Sequence, residues 1–234
     1  YNRSRRFRLL SFNHVDWGVI FLQLGDIQTH DSRQDAKVQF TKAFAIATRL
    51  LEEDPEDNQA LRDVMIAHER LGDVAQAFDD ADKAIEHYLK ARVIADSLPK
   101  LDSEDYRTIW FHNFRLGAIE RRRYNYDAAL GWYQQAAQAL NDAAEAGHPV
   151  DGPQDKHWVK ETAMRVSICK NVPLAVEDLN HVFTLNEDLA RRVMYLRAAH
   201  LADHGKPKEA AETLTEYQSR WDLDVSESYN VACG

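Results

Sequence analysis

Apolar positions recur at separations of three and four along most of the chain, and polar residues fill the places between them. That period belongs to amphipathic helices. The pattern predicts helices near 15–29 and 33–53, then 56–77 and 80–98, then 102–123 and 126–146. Shorter ones follow near 154–170 and 173–184, and a last pair near 186–204 and 207–220. The punctuation agrees. Asp54-Pro55 closes one helix and opens the next, and Asp102 or Ser103 is a helix N-cap ahead of Tyr106. Gly205-Lys206-Pro207 is a turn with Pro207 at a first helical position, where its missing N–H costs nothing. Gly147-His148-Pro149 with Asp151-Gly152-Pro153 is the clearest break: a loop between copies, or a seam between two halves. Asn171-Val172-Pro173 is expected to split 154–170 from 173–184. Residues 1–14 read as the end of a preceding element, and the stretch from 221 to the end as the start of a truncated helix pair.

A second periodicity lies above the helical one. A small residue is followed by packing positions twelve, sixteen and nineteen residues later. Gly72, Ala84, Tyr88, Ala91 and Gly117, Ala129, Tyr133, Ala136 share these offsets, and Gly25, Ala36, Phe40, Ala43 differs by one deletion. Ala163, Ala175, Leu179, Val182 and Ala198, Ala210, Leu214, Tyr217 carry alanine in the lead position. The lead positions 25, 72, 117, 163, 198 and 234 are 47, 45, 46, 35 and 36 apart. Such offsets predict antiparallel helix pairs. The small residue on the first helix admits the second closely, and the aromatic, flanked by small residues on one face, fills the gap. One pair cannot bury both of its faces; stacked pairs can. The expected fold is all-α, a right-handed superhelix of about five pairs: three long repeats over 15–147 and two degenerate ones over 148–220.

These offsets, with Leu71-Gly72 and Leu116-Gly117, resemble the tetratricopeptide repeat. The resemblance covers about residues 15–220. The family's aromatic at the fourth position of the first helix is Phe21, His68, Asn113, Val159 and Met194 here, and spacings above the usual ~34 residues resemble kinesin-light-chain-like arrays. Asp54 to Asp63, then Arg70-Leu71-Gly72-Asp73-Val74, is also similar to the repeat region of multidomain bacterial serine/threonine protein kinases. The chain itself has no glycine-rich loop, His-Arg-Asp or Asp-Phe-Gly. The resemblance implies a non-enzymatic scaffold for a protein or peptide, as the regulatory or partner-recruiting part of a larger signalling protein. A self-associating structural array is the alternative. The family's carboxylate clamp uses Lys and Asn at positions that here hold Leu22, Asp26, Glu69 and Asp73. A chaperone C-terminus is therefore not the expected ligand.

Composition narrows the picture. Gly 9 and Pro 6 in 234 residues are about half the usual share of roughly 12%, which favours long helices. A net charge of −9 disfavours nonspecific nucleic-acid binding, which needs a positive field. No apolar run approaches the ~20 residues that span a bilayer, so membrane insertion is not expected. Cys169 and Cys233 form no ligand cluster and suit a reducing, cytoplasmic setting.

The candidate surface comes from the first helix of each pair. It comprises Asp26, Glu69, Asp73, Gln76, Phe111, Phe114, Arg115, Arg121, Arg122 and Arg123. Acidic residues in the first two copies and basic ones in the third suit a partner of mixed charge. Arg121-Arg122-Arg123 is either favourable charge at a helix C-terminus or a patch for an acidic peptide or phosphate, with Arg115, Lys156 and Lys160 near it. Phe111 and Phe114 are either an apolar anchor or inter-repeat core. The acidic run Glu52 to Asp57 reads as helix-start charge, with Glu56 and Asp57 in a first turn. His200 and His204 share a helix face, but two ligands are not a metal site. No metal, cofactor or catalytic residue is expected, and Tyr124 and Tyr126 are the only candidates for an exposed stacking face.

Overall fold

A computed structural model of the chain describes residues 30–221. Asp26, the lead Gly25, the helix expected near 15–29 and the truncated pair after 221 lie outside the described residues. The remainder is helical, with no strand among the described residues. Contacts group it into two compact units, one running to Lys100 and the other starting at Leu101.

The first unit holds α1 (His30–Glu53), α2 (Asn58–Ala77) and α3 (Ala81–Ser97), each packed on the next. Its core gathers Ala36, Phe40, Ala67 and Val74. The helix starts are chemically fixed. Asp57 is the N-cap of α2, accepting from Gln59 N at 2.9 Å and Ala60 N at 3.2 Å, so it stands one place before the first turn expected for it. Asp80 caps α3 through Lys83 N at 3.1 Å.

The second unit holds α4 (Ser103–Arg122), α5 (Tyr126–Glu145), α6 (Pro153–Glu177), a short 3-10 turn (Leu179–Thr184), α7 (Glu187–Asp203) and α8 (Pro207–Trp221). Successive helices pack on one another from α4 to α8. Asp102 caps α4 and Asp105 reaches back to the Asp102 N–H, a reciprocal box. α4 also meets α6: Trp110 stacks on Trp158 at 4.6 Å and donates to Thr162 Oγ1 at 2.9 Å. Arg107 grips the buried Asp155 carboxylate at 3.3 Å.

The glycine register holds at both full-length crossings. A Cβ on Gly72 would stand 2.9 Å from the Tyr88 ring, and one on Gly117 would stand 3.0 Å from the Tyr133 ring. Both rings are 0% exposed, so neither can give way without displacing its packed neighbours.

A further identity lies in the turns. Seven residues after the lead residue, Asp79 (φ 58), Tyr124 (φ 60) and Gly205 (φ 75) all take the left-handed conformation. The next N–H folds back to the lead helix each time: Asp80 to Ala75 O at 2.9 Å, Asn125 to Glu120 O at 2.9 Å, Lys206 to Leu201 O at 2.8 Å. These are three copies of one Schellman turn. Hairpins α2–α3, α4–α5 and α7–α8 are thus the same construction.

Two expectations are corrected. α6 is continuous through Pro173, so Asn171-Val172-Pro173 does not split it, and no hairpin forms there. Proline removes one N–H and crowds the turn before it, but Val172 and Ala175 beside it are fully buried and hold the helix in the core. Ala163 is exposed and marks no crossing; the neighbouring Thr162 is the buried residue. The second arm of that copy shrinks to the 3-10 turn, with Val182 still buried. The shortfall matches the spacing of 35 after position 163. In the last pair Leu214 is 38% exposed, and Thr213 (0%) takes the buried place between Ala210 and Tyr217. The buried Arg197 selects that register: it hydrogen-bonds Thr213 Oγ1 and the Ala175 carbonyl.

Candidate interaction surfaces

The candidate surface residues divide between the two units. In the first, Glu69 is buried and ion-paired with Arg70 at 3.0 Å. Asp73 accepts from Arg70 at 3.0 Å and from the Tyr88 hydroxyl at 2.6 Å, and Gln76 donates to that hydroxyl at 2.7 Å. Asp73 and Gln76 therefore serve the ring that fills the Gly72 crossing. Behind them, His68 Nδ1 lies 3.0 Å from His87 Nδ1, and Phe44 packs on His68. Burial, then the neighbouring His87, pushes His68 down to about 4. Burial lowers His87 too.

In the second unit, Phe114 packs edge-on against Tyr133 at 5.2 Å and against Trp110 at 5.0 Å, so it belongs to the interior. Phe111 is half-buried under the Arg115 guanidinium at 4.7 Å, a cation–π contact. The arginine run divides. Arg121 turns inward toward Tyr126, Tyr133 and Cys169, whereas Arg122 and Arg123 are exposed. Arg165 joins Arg121 beside Tyr133 and Cys169; Lys156 and Lys160 are exposed farther up α6. Burial raises the Cys169 thiol to about 11, so it stays protonated at neutral pH.

The structure also gathers residues that the sequence places 76 or more apart. Tyr124 meets His200 and His204 edge-on at 5.2 and 5.3 Å, the two imidazoles stack at 4.0 Å, and the Tyr124 hydroxyl bonds Asp203. Beside them opens a pocket of about 300 Å³, walled by Tyr124, Tyr126, Pro173, Glu177 and His200. Sequence reasoning singled out both pairs without joining them. The repeat register was the available signal, because Tyr124 and Gly205 are the same turn position in two hairpins. No group of three or more His, Cys, Asp or Glu able to hold a metal occurs among the described residues. None of their helices is long and apolar enough to cross a membrane.

No family model matches the chain, and no curated protein matches it. Among solved structures it is similar to BtubC (BKLC) from P. vanneervenii. The two are 16% identical over 85% of this chain and 80% of that one, with a TM-score of 0.45.

Proposed function

We propose that the chain is a helical-repeat scaffold that binds a protein or peptide. The observation that carries this reading is the recurrence of one hairpin: the same Schellman turn three times, with a glycine–tyrosine crossing in two of them. Repeated pairs of this kind spend their small and aromatic residues on internal packing and leave the remaining faces to vary. Arg122 and Arg123, exposed at the end of α4, supply a basic face for an acidic segment of the partner, and Phe111 under Arg115 supplies an apolar anchor. The resemblance of 54–63 and 70–74 to kinase-linked repeats supports a role as the partner-recruiting region of a larger signalling protein such as a serine/threonine kinase.

Self-association is the second reading. Val93 (68% exposed) and Leu89 stand one turn apart on the outer side of α3, an apolar pair open to another molecule.

The test is co-precipitation with the whole chain as bait, repeated with Arg122 and Arg123 both changed to alanine. Partners with acidic segments are expected to be retained by the wild type and lost by the variant. Retention of nothing specific would remove the scaffold reading. Light scattering separates the alternative: a concentration-dependent dimer abolished by Val93→Glu would favour self-association.

A further inference from the structure

We propose that the pocket at the α4–α5 turn binds one cationic nitrogen group, an ammonium or a guanidinium. Its walls are aromatic and acidic. Tyr124, Tyr126 and His200 contribute rings, Asp127 and Glu177 contribute carboxylates, and no lysine or arginine lines it. Neither carboxylate is ion-paired among the described residues. Burial holds His200 below the usual imidazole range, so at neutral pH it adds no positive charge.

Three helix ends reach the pocket, the C-termini of α6 and α7 and the N-terminus of α5. Each carries about half an elementary charge, negative at a C-terminus and positive at an N-terminus. Two C-termini outweigh one N-terminus, and the Asp127 and Glu177 carboxylates add to that sign, while Arg121 acts on Tyr126 and Lys206 on His200 from outside the lining. A cation meets the lining carboxylates and the negative faces of tyrosine rings.

The aromatic wall is fixed by its own contacts. Tyr124 is a bulky residue in the left-handed conformation, where the equivalent turns hold Asp79 and Gly205. Such a backbone is costly for a large side chain. Here it places the ring against His200 and His204, with the hydroxyl tied to Asp203. Tyr126 is 5% exposed and contributes its ring to the pocket's inner wall.

The cationic group can be a free small molecule or the lysine or arginine side chain of a partner. Only the second source rests on the scaffold reading above. Tetramethylammonium and methylguanidinium, titrated into the full chain, are expected to shift the Tyr126 and His200 ring resonances saturably, beyond sodium chloride at equal ionic strength. Glu177→Gln, an exposed position, and Tyr124→Gly, which suits that turn, should each weaken binding about tenfold while circular dichroism shows an intact fold. Tighter binding of capped Gly-Lys-Gly or Gly-Arg-Gly peptides identifies a partner's side chain as the source. Equal or weaker binding identifies a free cation, and the site then stands even if the scaffold reading falls. Shifts no larger than those of sodium chloride, or affinity unchanged in both variants, would overturn the proposal.

Discussion

Hairpins α2–α3 and α4–α5 share a backbone and differ in what they attach to it. Both press a buried tyrosine onto a glycine and reverse through the same turn. In the first, the Tyr88 hydroxyl has Asp73 and Gln76 as partners. In the second, the place of Asp73 is taken by Ala118 and that of Gln76 by Arg121, and the Tyr133 hydroxyl, beside Arg121, makes no hydrogen bond of normal geometry. The His68–His87 pair becomes Asn113 and Trp132, and the Asn113 amide is buried with neither atom hydrogen-bonded. Small and aromatic positions thus fix the architecture. Polar positions around them vary without altering it, and there each hairpin acquires its own chemistry.

The shared part should break hardest. Gly72→Leu or Gly117→Leu drives a branched side chain into a buried, packed ring. Overpacking alone costs about 1–3 kcal/mol or more, and with a marginal stability to draw on either variant should lose its cooperative melt. An unchanged melting temperature would refute the register.

The hydroxyls sharpen the contrast. Tyr88→Phe leaves the Asp73 carboxylate short of a donor and should cost about 1–2 kcal/mol. Tyr133→Phe removes a hydroxyl that makes only a poorly formed contact with Arg121, so denaturant melts should show a smaller loss than for Tyr88→Phe. Equal losses in both would mean that the two hairpins are not dressed differently.

Acid should act on the histidine pair. The folded pKa of His68 lies at about 4, below its usual 6.5. The unfolded chain therefore binds more protons between these values, and stability rises with pH across that window. The contribution is complete above about 6.5 and is lost as pH falls through about 4. Melting temperature should drop by up to roughly 10 °C over the interval, since one pKa unit is worth about 1.4 kcal/mol and about 1 kcal/mol moves the melt by roughly 2–4 °C at this size. His68→Asn, which installs the residue of the other hairpin, should flatten that slope.

Much of this architecture is legible in the sequence. Asp57, Asp102 and Pro207 announce helix starts by their own chemistry, and the glycine–tyrosine offset is specific because only glycine tolerates that approach. Alanine carries no such information. It is a good helix former anywhere, so Ala163 on the surface and Ala198 in the core look alike in sequence. Leu214 is exposed against expectation for a related reason: an apolar side chain at the expected offset cannot reveal that Arg197 needs Thr213 inside. Among the candidate site residues, position on the first helix was readable but engagement was not. Asp73 looks like a groove residue until the Tyr88 hydroxyl is seen to hold it. The Tyr124–His200 pocket depends on the turn of one hairpin meeting the end of another, which no local pattern encodes.

Two crossings leave no room for a methyl group unless a buried ring shifts, and two glycines on adjacent helices test this. Gly117→Ala and Gly131→Ala add the same atom to adjacent helices. At Gly131 the new Cβ meets nothing within 4 Å, so only helix propensity acts, and stability should rise by roughly 0.5–1 kcal/mol. At Gly117 the same gain is opposed by contact with the buried Tyr133 ring, and stability should fall. Paired thermal melts giving opposite signs would support the account; two stabilised proteins would contradict it.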